Sequence, residues 1–182
     1  ISLNQFGSRS AEEMKESVDD LLDNKKVRGL ILDLRNNGGG DFDVSIAIAG
    51  IFLDGDKVVS SVDAQGNEKV YQASKGKVDI PLVVLVNEDS ASASEILAAA
   101  LRDNQRAVLV GKKTFGKGLV QTVFPLRNGG ALKLTTQKYY TPAGIDINEV
   151  GITPDYVVEN NADEDKDLQL DKAISVLKKQ IY

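Results

Sequence analysis

Three short apolar runs, each ending in a loop of glycine or polar residues, constrain the fold of this chain more than any other feature. They are residues 27–34, 81–86 and 107–110, and helix-like segments at residues 42–53 and 96–103 follow the first two runs. Such alternation is typical of buried parallel strands joined by right-handed helical crossovers. The sequence therefore predicts an α/β domain with a largely parallel sheet flanked by helices.

The remaining segments add antiparallel strands and two terminal helices to this core. Residues 10–13 (SAEE) form a capping-box pattern at the start of an amphipathic helix. Alternating residues at 57–73 predict a surface β-hairpin, and residues 119–140 predict a second hairpin that would make the sheet mixed. An apolar stripe at residues 170–181 predicts a closing helix. We expect all 182 residues to form one domain.

Three polar or glycine-rich segments follow the predicted parallel strands, at residues 35–40, 87–94 and 111–118. In open α/β sheets, ligands bind in the crevice beyond the carboxyl ends of the strands. We therefore expect the functional residues to lie in these three segments.

The composition excludes several kinds of chemistry. The chain has no histidine and no cysteine, which excludes a Ser/His/Asp triad, a thiol nucleophile, a disulfide and any usual zinc site. The net charge of -5 argues against nucleic acid as a partner, because nucleic-acid binding needs clustered cationic side chains. A nucleophilic serine in this chain would need a base other than histidine.

Three serines stand where a strand runs into a helix, namely Ser90, Ser92 and Ser94. A serine at such a turn can meet a substrate, and the amides of the first helical turn can hold a developing oxyanion. Serine is also a common helix N-cap with no other role. The residues alone do not select one serine or decide between these interpretations.

Lys117 lies between Gly116 and Gly118 in the third segment. These glycines allow a tight backbone turn that could aim the lysine inward, and burial favours the neutral amine that a general base requires. The alternative is an exposed lysine in a flexible loop. In a chain without histidine, the combination with a serine-bearing turn favours a base.

Residues 111–117 also match G-x-x-x-x-G-K, the beginning of a nucleotide-binding P-loop. The next residue is Gly118 instead of the magnesium-binding Ser or Thr, and the residues after it are strand-like, so no helix N-terminus would receive phosphates. The glycine turn at residues 38–40 fails as a dinucleotide fingerprint because Asp43 stands where a third glycine belongs. A nucleotide-binding protein is therefore disfavoured.

Four motifs together resemble the carboxyl-terminal processing (tail-specific) serine proteases. The motifs are LDLRNNGGG at residues 32–40, SASASEI at residues 90–96, TFGKG with the following VQ at residues 114–121, and LKLTTQKYYTPAG at residues 132–144. The resemblance extends from the Ser10 helix to residue 155. It implies a ClpP/crotonase-like α/β core with a peripheral hairpin.

The resemblance also assigns catalytic roles. It implies that Ser92 is the nucleophile, that Lys117 is the general base and that Gln121 orients this lysine, with no metal or organic cofactor. The reaction would be acyl transfer through an acyl-enzyme. The residues by themselves are compatible with the same roles for the serine turn and the lysine loop, but they do not decide them.

Further site residues follow from the same resemblance. The oxyanion hole would use the amide of Ala93 and one from the glycine turn, for which Gly39 is our choice. Gly38 stands where the family usually has proline, which leaves Gly38, Gly39 and Gly40 as alternatives. Asp103 matches an aspartate that matters in some members of the family, and a surface acid at a helix end is the alternative.

The expected function is an endopeptidase that cleaves polypeptide substrates near their carboxyl termini, outside the cytoplasm in the periplasm, cell envelope or a lumen. The family normally carries a PDZ domain before the sequence that begins at Ile1, so we expect this partner domain in the full-length protein. An oligomer is possible. The alternative function is an inactive or non-catalytic peptide-binding module of the same fold.

Overall fold

The computed structural model describes residues 1–160 and 166–182, which form an α/β domain. In chain order the elements are α1 (Ser10–Asp23), β1 (Leu30–Asp33), α2 (Phe42–Phe52), β2 (Lys57–Asp63), β3 (Glu68–Gln72), β4 (Leu82–Val86), α3 (Ala93–Asp103), β5 (Val108–Gly111), β6 (Leu119–Pro125), β7 (Ala131–Tyr140), β8 (Tyr156–Val157) and α4 (Leu168–Ile181). Within these residues, no helix has both the length and the apolar character needed to span a bilayer. The predicted fold class is confirmed.

The first sheet is parallel, with the strand order β1-β4-β5-β8. Every residue of β4 is buried, and its side chains alternate between two apolar layers. Val84 and Val86 contribute to the layer formed with α1, α2 and α3, whereas Val83 and Leu85 pack with Ala173 of α4. The sheet therefore has helices on both faces, as the continuous apolar runs predict.

The antiparallel strands form a second sheet, in the order β3-β2-β7-β6, instead of extending the first. The hairpin of β2 and β3 is confirmed, but β2 is mostly buried and not a surface strand, because it packs against α3. Phe42 of α2 lies between Tyr139 and Tyr71, stacked on the first ring at 5.1 Å and edge-on to the second at 4.8 Å. These aromatic contacts pack α2 against the second sheet.

The start of α1 differs from the predicted capping box. Arg9 is the N-cap and Ser10 is already helical. The Ser10 hydroxyl donates to the carbonyl oxygen of Gln5 and accepts from the amide of Gly7, so it stabilises the preceding turn instead of the helix end. Glu13 pairs with Arg9 at 2.9 Å on the surface.

Strand β1 is shorter than the predicted run of residues 27–34. The amide of Val27 donates to the carbonyl oxygen of Leu21, so this residue completes the end of α1. Lys26 has a φ of 53°, which reverses the chain there. The apolar character of Val27 reflects packing against the core, not strand pairing.

Ser61 offers a stability test of the second sheet. Its hydroxyl is the one buried side-chain polar atom without a hydrogen-bond partner among the described residues. Because an unpaired buried hydroxyl destabilises the folded state, Ser61→Ala should leave the free energy of unfolding unchanged within about 0.5 kcal/mol or raise it. Urea denaturation measures this change.

Ser94→Ala is the matched control, because the buried Ser94 hydroxyl donates to the carbonyl oxygen of Asn37 at 2.8 Å. Its loss should lower the free energy of unfolding by about 1–3 kcal/mol. Equal losses for the two variants would show that Ser61 is in fact paired.

Candidate active site

The carboxyl ends of β1 and β4 and the loop after β5 meet at one edge of the parallel sheet, where they enclose an open pocket. Its volume is about 450 Å³. The pocket is lined by Asn4, Gln5, Gly38, Gly39, Gly40, Ser92 and Lys117. Each of the three segments predicted from the sequence contributes to it. The structure therefore brings together the serine turn, the lysine loop and the glycine turn.

The three serines of the SASAS run have different surroundings. Ser90 is buried, and its hydroxyl donates to the carbonyl oxygen of Leu34 at 2.8 Å. Ser94 is buried as well, bonded to Asn37. Ser92 is partly exposed and lines the pocket. Because their hydroxyls fasten the end of β1 and the glycine turn, Ser90 and Ser94 have structural roles and only Ser92 faces a ligand space.

Ser92 occupies the sharp turn between β4 and α3. Its backbone has φ 57° and ψ -115°, a conformation that is rare for a residue with a side chain. Such strain costs about 1–3 kcal/mol and is concentrated at functional sites. A strained strand-to-helix turn that presents a serine is also how α/β-hydrolases expose their nucleophile.

The first turn of α3 leaves an amide next to Ser92. The amides of Ser94 and Glu95 donate to the carbonyl oxygens of Ala91 and Ser92, at 3.1 and 2.9 Å. Ala93 is the first residue of the helix, and the positive end of the helix dipole lies at its amide. This arrangement suits the predicted oxyanion role of Ala93.

Gly39 lies directly behind the nucleophile turn. A Cβ at this position would be 2.7 Å from the carbonyl oxygen of Ala91 and 2.9 Å from the Cβ of Ser92, and its φ of 98° also requires glycine. However, its amide donates to the side-chain oxygen of Asn37 at 2.9 Å. The glycine turn would have to rearrange before this amide could bind an oxyanion.

Lys117 lines the pocket but is exposed, so the described residues do not provide the burial that the sequence led us to expect. Its flanking glycines are required by close packing, since a Cβ on Gly116 would lie 3.1 Å from the amide of Gly151 and one on Gly118 would lie 2.9 Å from the Cα of Asn148. They fix the loop against the segment that follows β7.

The structure does not place the other two predicted residues in the pocket. Gln121 is exposed on β6, paired with Thr135, and is not among the pocket-lining residues. Asp103 ends α3, about 16 Å along the helix from Ser92. There it pairs with Arg102 at 2.8 Å and accepts the amide of Ala143 at 3.1 Å, which are contacts of a structural residue.

The P-loop alternative is not supported by the local structure. Strand β6 begins two residues after Lys117, where a P-loop would lead into a helix. The loop therefore offers no helix N-terminus to phosphate groups.

Glu95 connects parts of the candidate site, and the sequence analysis did not single it out. Its carboxylate is fully buried and accepts four hydrogen bonds. The donors are the amide of Ser92 (2.9 Å), the amide of Lys117 (2.8 Å), the amide of Gly116 (2.7 Å) and the hydroxyl of Thr114 (2.6 Å). Glu95 thus connects the nucleophile turn to the lysine loop. The available signal was the S-x-x-E spacing, but this pattern is also an ordinary capping box.

A parallel sheet with helices on both faces, together with a strained serine and a lysine at its carboxyl edge, defines a class of α/β hydrolytic enzymes. Residues 1–158 match Peptidase family S41. The chain belongs to this family, and the resemblance to carboxyl-terminal processing proteases is confirmed.

Individual relatives agree with this assignment. A protein from Synechocystis sp. named carboxyl-terminal-processing protease is 48% identical over 160 residues, which are 87% of this chain and 37% of that protein. The chloroplastic C-terminal processing peptidase of Tetradesmus obliquus is 43% identical over 157 residues, or 85% of this chain and 34% of the relative. The solved structure of a photosystem II D1 C-terminal processing protease superposes with a TM-score of 0.82 at 42% identity, covering 87% of this chain and 41% of that one. The chain thus spans less than half the length of each.

The buried carboxylate of Glu95 leads to a prediction about the assembly of the site. Glu95→Gln keeps the shape of the side chain but replaces one acceptor oxygen with a donor that would face existing donors. Because buried donors would then lose their partners, the free energy of unfolding should fall by about 2–4 kcal/mol in urea denaturation.

Glu88→Gln is the control, because Glu88 is exposed and pairs only with Lys112 at the surface. It should change the free energy of unfolding by less than about 1 kcal/mol. A Glu95→Gln variant as stable as this control would contradict the connecting role of Glu95.

Proposed function

We propose that this chain is the catalytic core of a serine endopeptidase with a Ser92/Lys117 dyad. The observation that carries the proposal is the separation of the three serines, because only Ser92 combines a strained backbone with access to the pocket that Lys117 also lines. The membership in Peptidase family S41 supports it.

In the proposed mechanism, neutral Lys117 accepts the hydroxyl proton of Ser92 while the serine oxygen attacks the carbonyl carbon of the scissile peptide. The protonated lysine then gives its proton to the leaving amine as the peptide bond breaks. A water molecule, deprotonated by the same lysine, hydrolyses the acyl-enzyme and restores Ser92. Gln121 would orient the lysine from the start of β6, which requires its side chain to turn toward the pocket.

The exposure of Lys117 sets a condition for this mechanism. A lysine that acts as a general base must be neutral, and a lysine covered by apolar groups loses its charge more readily than one in water. We infer that a bound polypeptide covers Lys117 and excludes water from the pocket. Substrate binding would then favour the neutral amine, which is the form that accepts the proton of Ser92.

The oxyanion would be held by the amides of Ala93 and Gly39. The first is at the start of α3, and the second becomes a donor only when the glycine turn releases Asn37. This rearrangement is local, because Gly39 already packs against the turn that carries Ser92. A Cβ placed on the neighbouring Gly38 would have no atom within 4 Å, so open space lies beside this part of the turn.

We further propose that the substrates are polypeptides cut near their carboxyl termini, as the names of the relatives indicate for those proteins. Two features of the full-length protein belong to this proposal: a PDZ domain that captures the substrate's carboxyl terminus by strand addition, and a location in an extracytoplasmic or lumenal compartment.

Replacement of the proposed nucleophile should show whether the protein is an enzyme or a peptide-binding module of the same fold. In the intact protein, Ser92→Ala should abolish cleavage of an unfolded test protein and labelling by a fluorophosphonate, because no other serine of the described residues lines the pocket. The measurements are the cleavage rate and the labelled fraction.

Ser90→Ala and Ser94→Ala are the controls. Each should retain cleavage and labelling, at a reduced rate because these hydroxyls support the turn, whereas Ser92→Ala loses both. Cleavage that survives in Ser92→Ala would refute the nucleophile assignment. A wild-type protein that binds peptides, without being labelled or cleaving them, would establish the non-catalytic alternative.

A second test concerns the base. Lys117→Arg keeps the positive charge but cannot deprotonate near neutral pH, so cleavage should be lost as fully as in Lys117→Ala. Since only the neutral amine accepts a proton, wild-type kcat/KM should rise with pH. Lys113→Arg, in the same loop but outside the pocket, should leave the rate and its pH profile unchanged. An active Lys117→Arg enzyme with a flat pH profile would exclude Lys117 as the base.

A further inference from the structure

The glycine turn is held by the three residues that precede it, and each contacts a different part of the fold. The amide of Asn36 donates to the side chain of Asn87, in the loop before Ser92, at 2.8 Å. The side chain of Asn37 donates to the carbonyl oxygen of Leu3 at 2.6 Å. Arg35 extends in the opposite direction, toward the start of α4. The position of the turn therefore depends on three separate anchors.

Arg35 joins β1 to α4 through its whole guanidinium group. Its Nε and Nη2 donate to the carboxylate of Asp33, with the shortest contact 2.7 Å. Its Nη1 donates to Asp167 Oδ1 at 2.8 Å and to Gln169 Oε1 at 3.1 Å. Asp33 fixes the orientation of the planar guanidinium group, and Nη1 is thereby directed toward the residues at the start of α4.

This cluster is partly shielded from solvent. The Arg35 side chain is 16% exposed, and those of Asp33 and Asp167 are 26% and 36% exposed. Hydrogen bonding to Asp33 is the largest cause of the raised pKa of Arg35, and hydrogen bonding to Arg35 lowers the pKa of Asp167. Partly buried bidentate pairs hold geometry better than exposed ion pairs.

The α4 residues are themselves fixed. Asp167 is the N-cap of α4 and accepts the amide of Leu170 at 3.0 Å. Gln169 is buried, and its side-chain amide donates to the carbonyl oxygen of Val158 at 2.9 Å. Since α4 packs through Ala173 on the parallel sheet, Arg35 is held against a rigid element. This helix lies beyond residues 1–158, the part that matches the family.

We propose that Asp167 and Gln169 are positioning residues, which act through Arg35 to hold the glycine turn at residues 38–40 in register with Ser92. The inference rests on the proposed function of this same pocket and extends the site to the last helix of the chain. Only three residues lie between Arg35 and Gly39, so a displaced arginine changes where the proposed oxyanion donor lies.

Asp167→Asn in the intact protein tests the proposal, with Asp171→Asn as the matched control. Asparagine is as good an N-cap as aspartate, so the helix end is preserved while the charge that meets Arg35 is removed. Asp171 is on the first turn of the same helix, and its ion-pair partner in the described part of the chain is Lys166, at 3.4 Å. The two variants therefore lose the same charge on the same helix.

We expect Asp167→Asn to lower kcat by about tenfold or more with KM within about twofold, because a small misplacement of an oxyanion donor weakens binding of the transition state. Hydrogen exchange in a peptide covering residues 35–41 should become faster without a general increase across the chain. Asp171→Asn should change neither quantity. Arg35→Gln should reproduce the loss, and adding Asp167→Asn to it should have no further effect.

The inference fails if Asp167→Asn matches Asp171→Asn in both kcat and exchange, or if exchange rises equally over the whole chain. Failure of the proposed enzymatic function would give a result different from failure of the positioning role. In that case wild-type protein shows no cleavage that depends on Ser92, while exchange at residues 35–41 still reports whether Asp167 holds the turn.

Discussion

The site depends on one buried carboxylate, that of Glu95. Its two oxygens receive the amides of Ser92, Gly116 and Lys117 and the hydroxyl of Thr114, so the nucleophile turn and the lysine loop share one acceptor group. A buried carboxylate is stable only when donors surround it. The need to surround this carboxylate with donors therefore holds the two segments together, although the loop begins 19 positions after Glu95 in the sequence.

Around this centre, the protein holds its proposed nucleophile in a conformation that the backbone alone would not adopt. The cost of the left-handed φ at Ser92 is offset by the bonds of Ser90 and Ser94, which fasten the turn on both sides to Leu34 and Asn37. Arg35 and α4 complete this support from the opposite face of the sheet. Ser92 lies where these bonds support the pocket, whereas Gly38 and Lys117 are exposed. The proposed mechanism requires a substrate to reorganise the glycine turn and to cover Lys117.

Much of this architecture was predictable from the sequence, because several of its elements have local patterns that identify them. The apolar run that became β4 is buried on both faces, so its continuous pattern and its helical neighbours could be recognised locally. The capping box at Ser10 was wrong because its hydroxyl bonds to the preceding turn, and the mixed sheet proved to be two sheets because β2 packs on α3. Both outcomes depend on contacts that a local pattern does not contain.

The sequence by itself determined the α/β class, the absence of histidine and thiol chemistry, and the three segments that form the pocket, because composition and periodicity are local properties. Tertiary structure alone decided which serine is accessible, that Lys117 is exposed, that the amide of Gly39 is engaged by Asn37, that Glu95 bonds to the lysine loop, and that Asp167 bonds to Arg35. Burial and hydrogen-bond partners are set by residues distant in the chain, so only the folded arrangement distinguishes a serine that fastens a turn from one that faces a substrate.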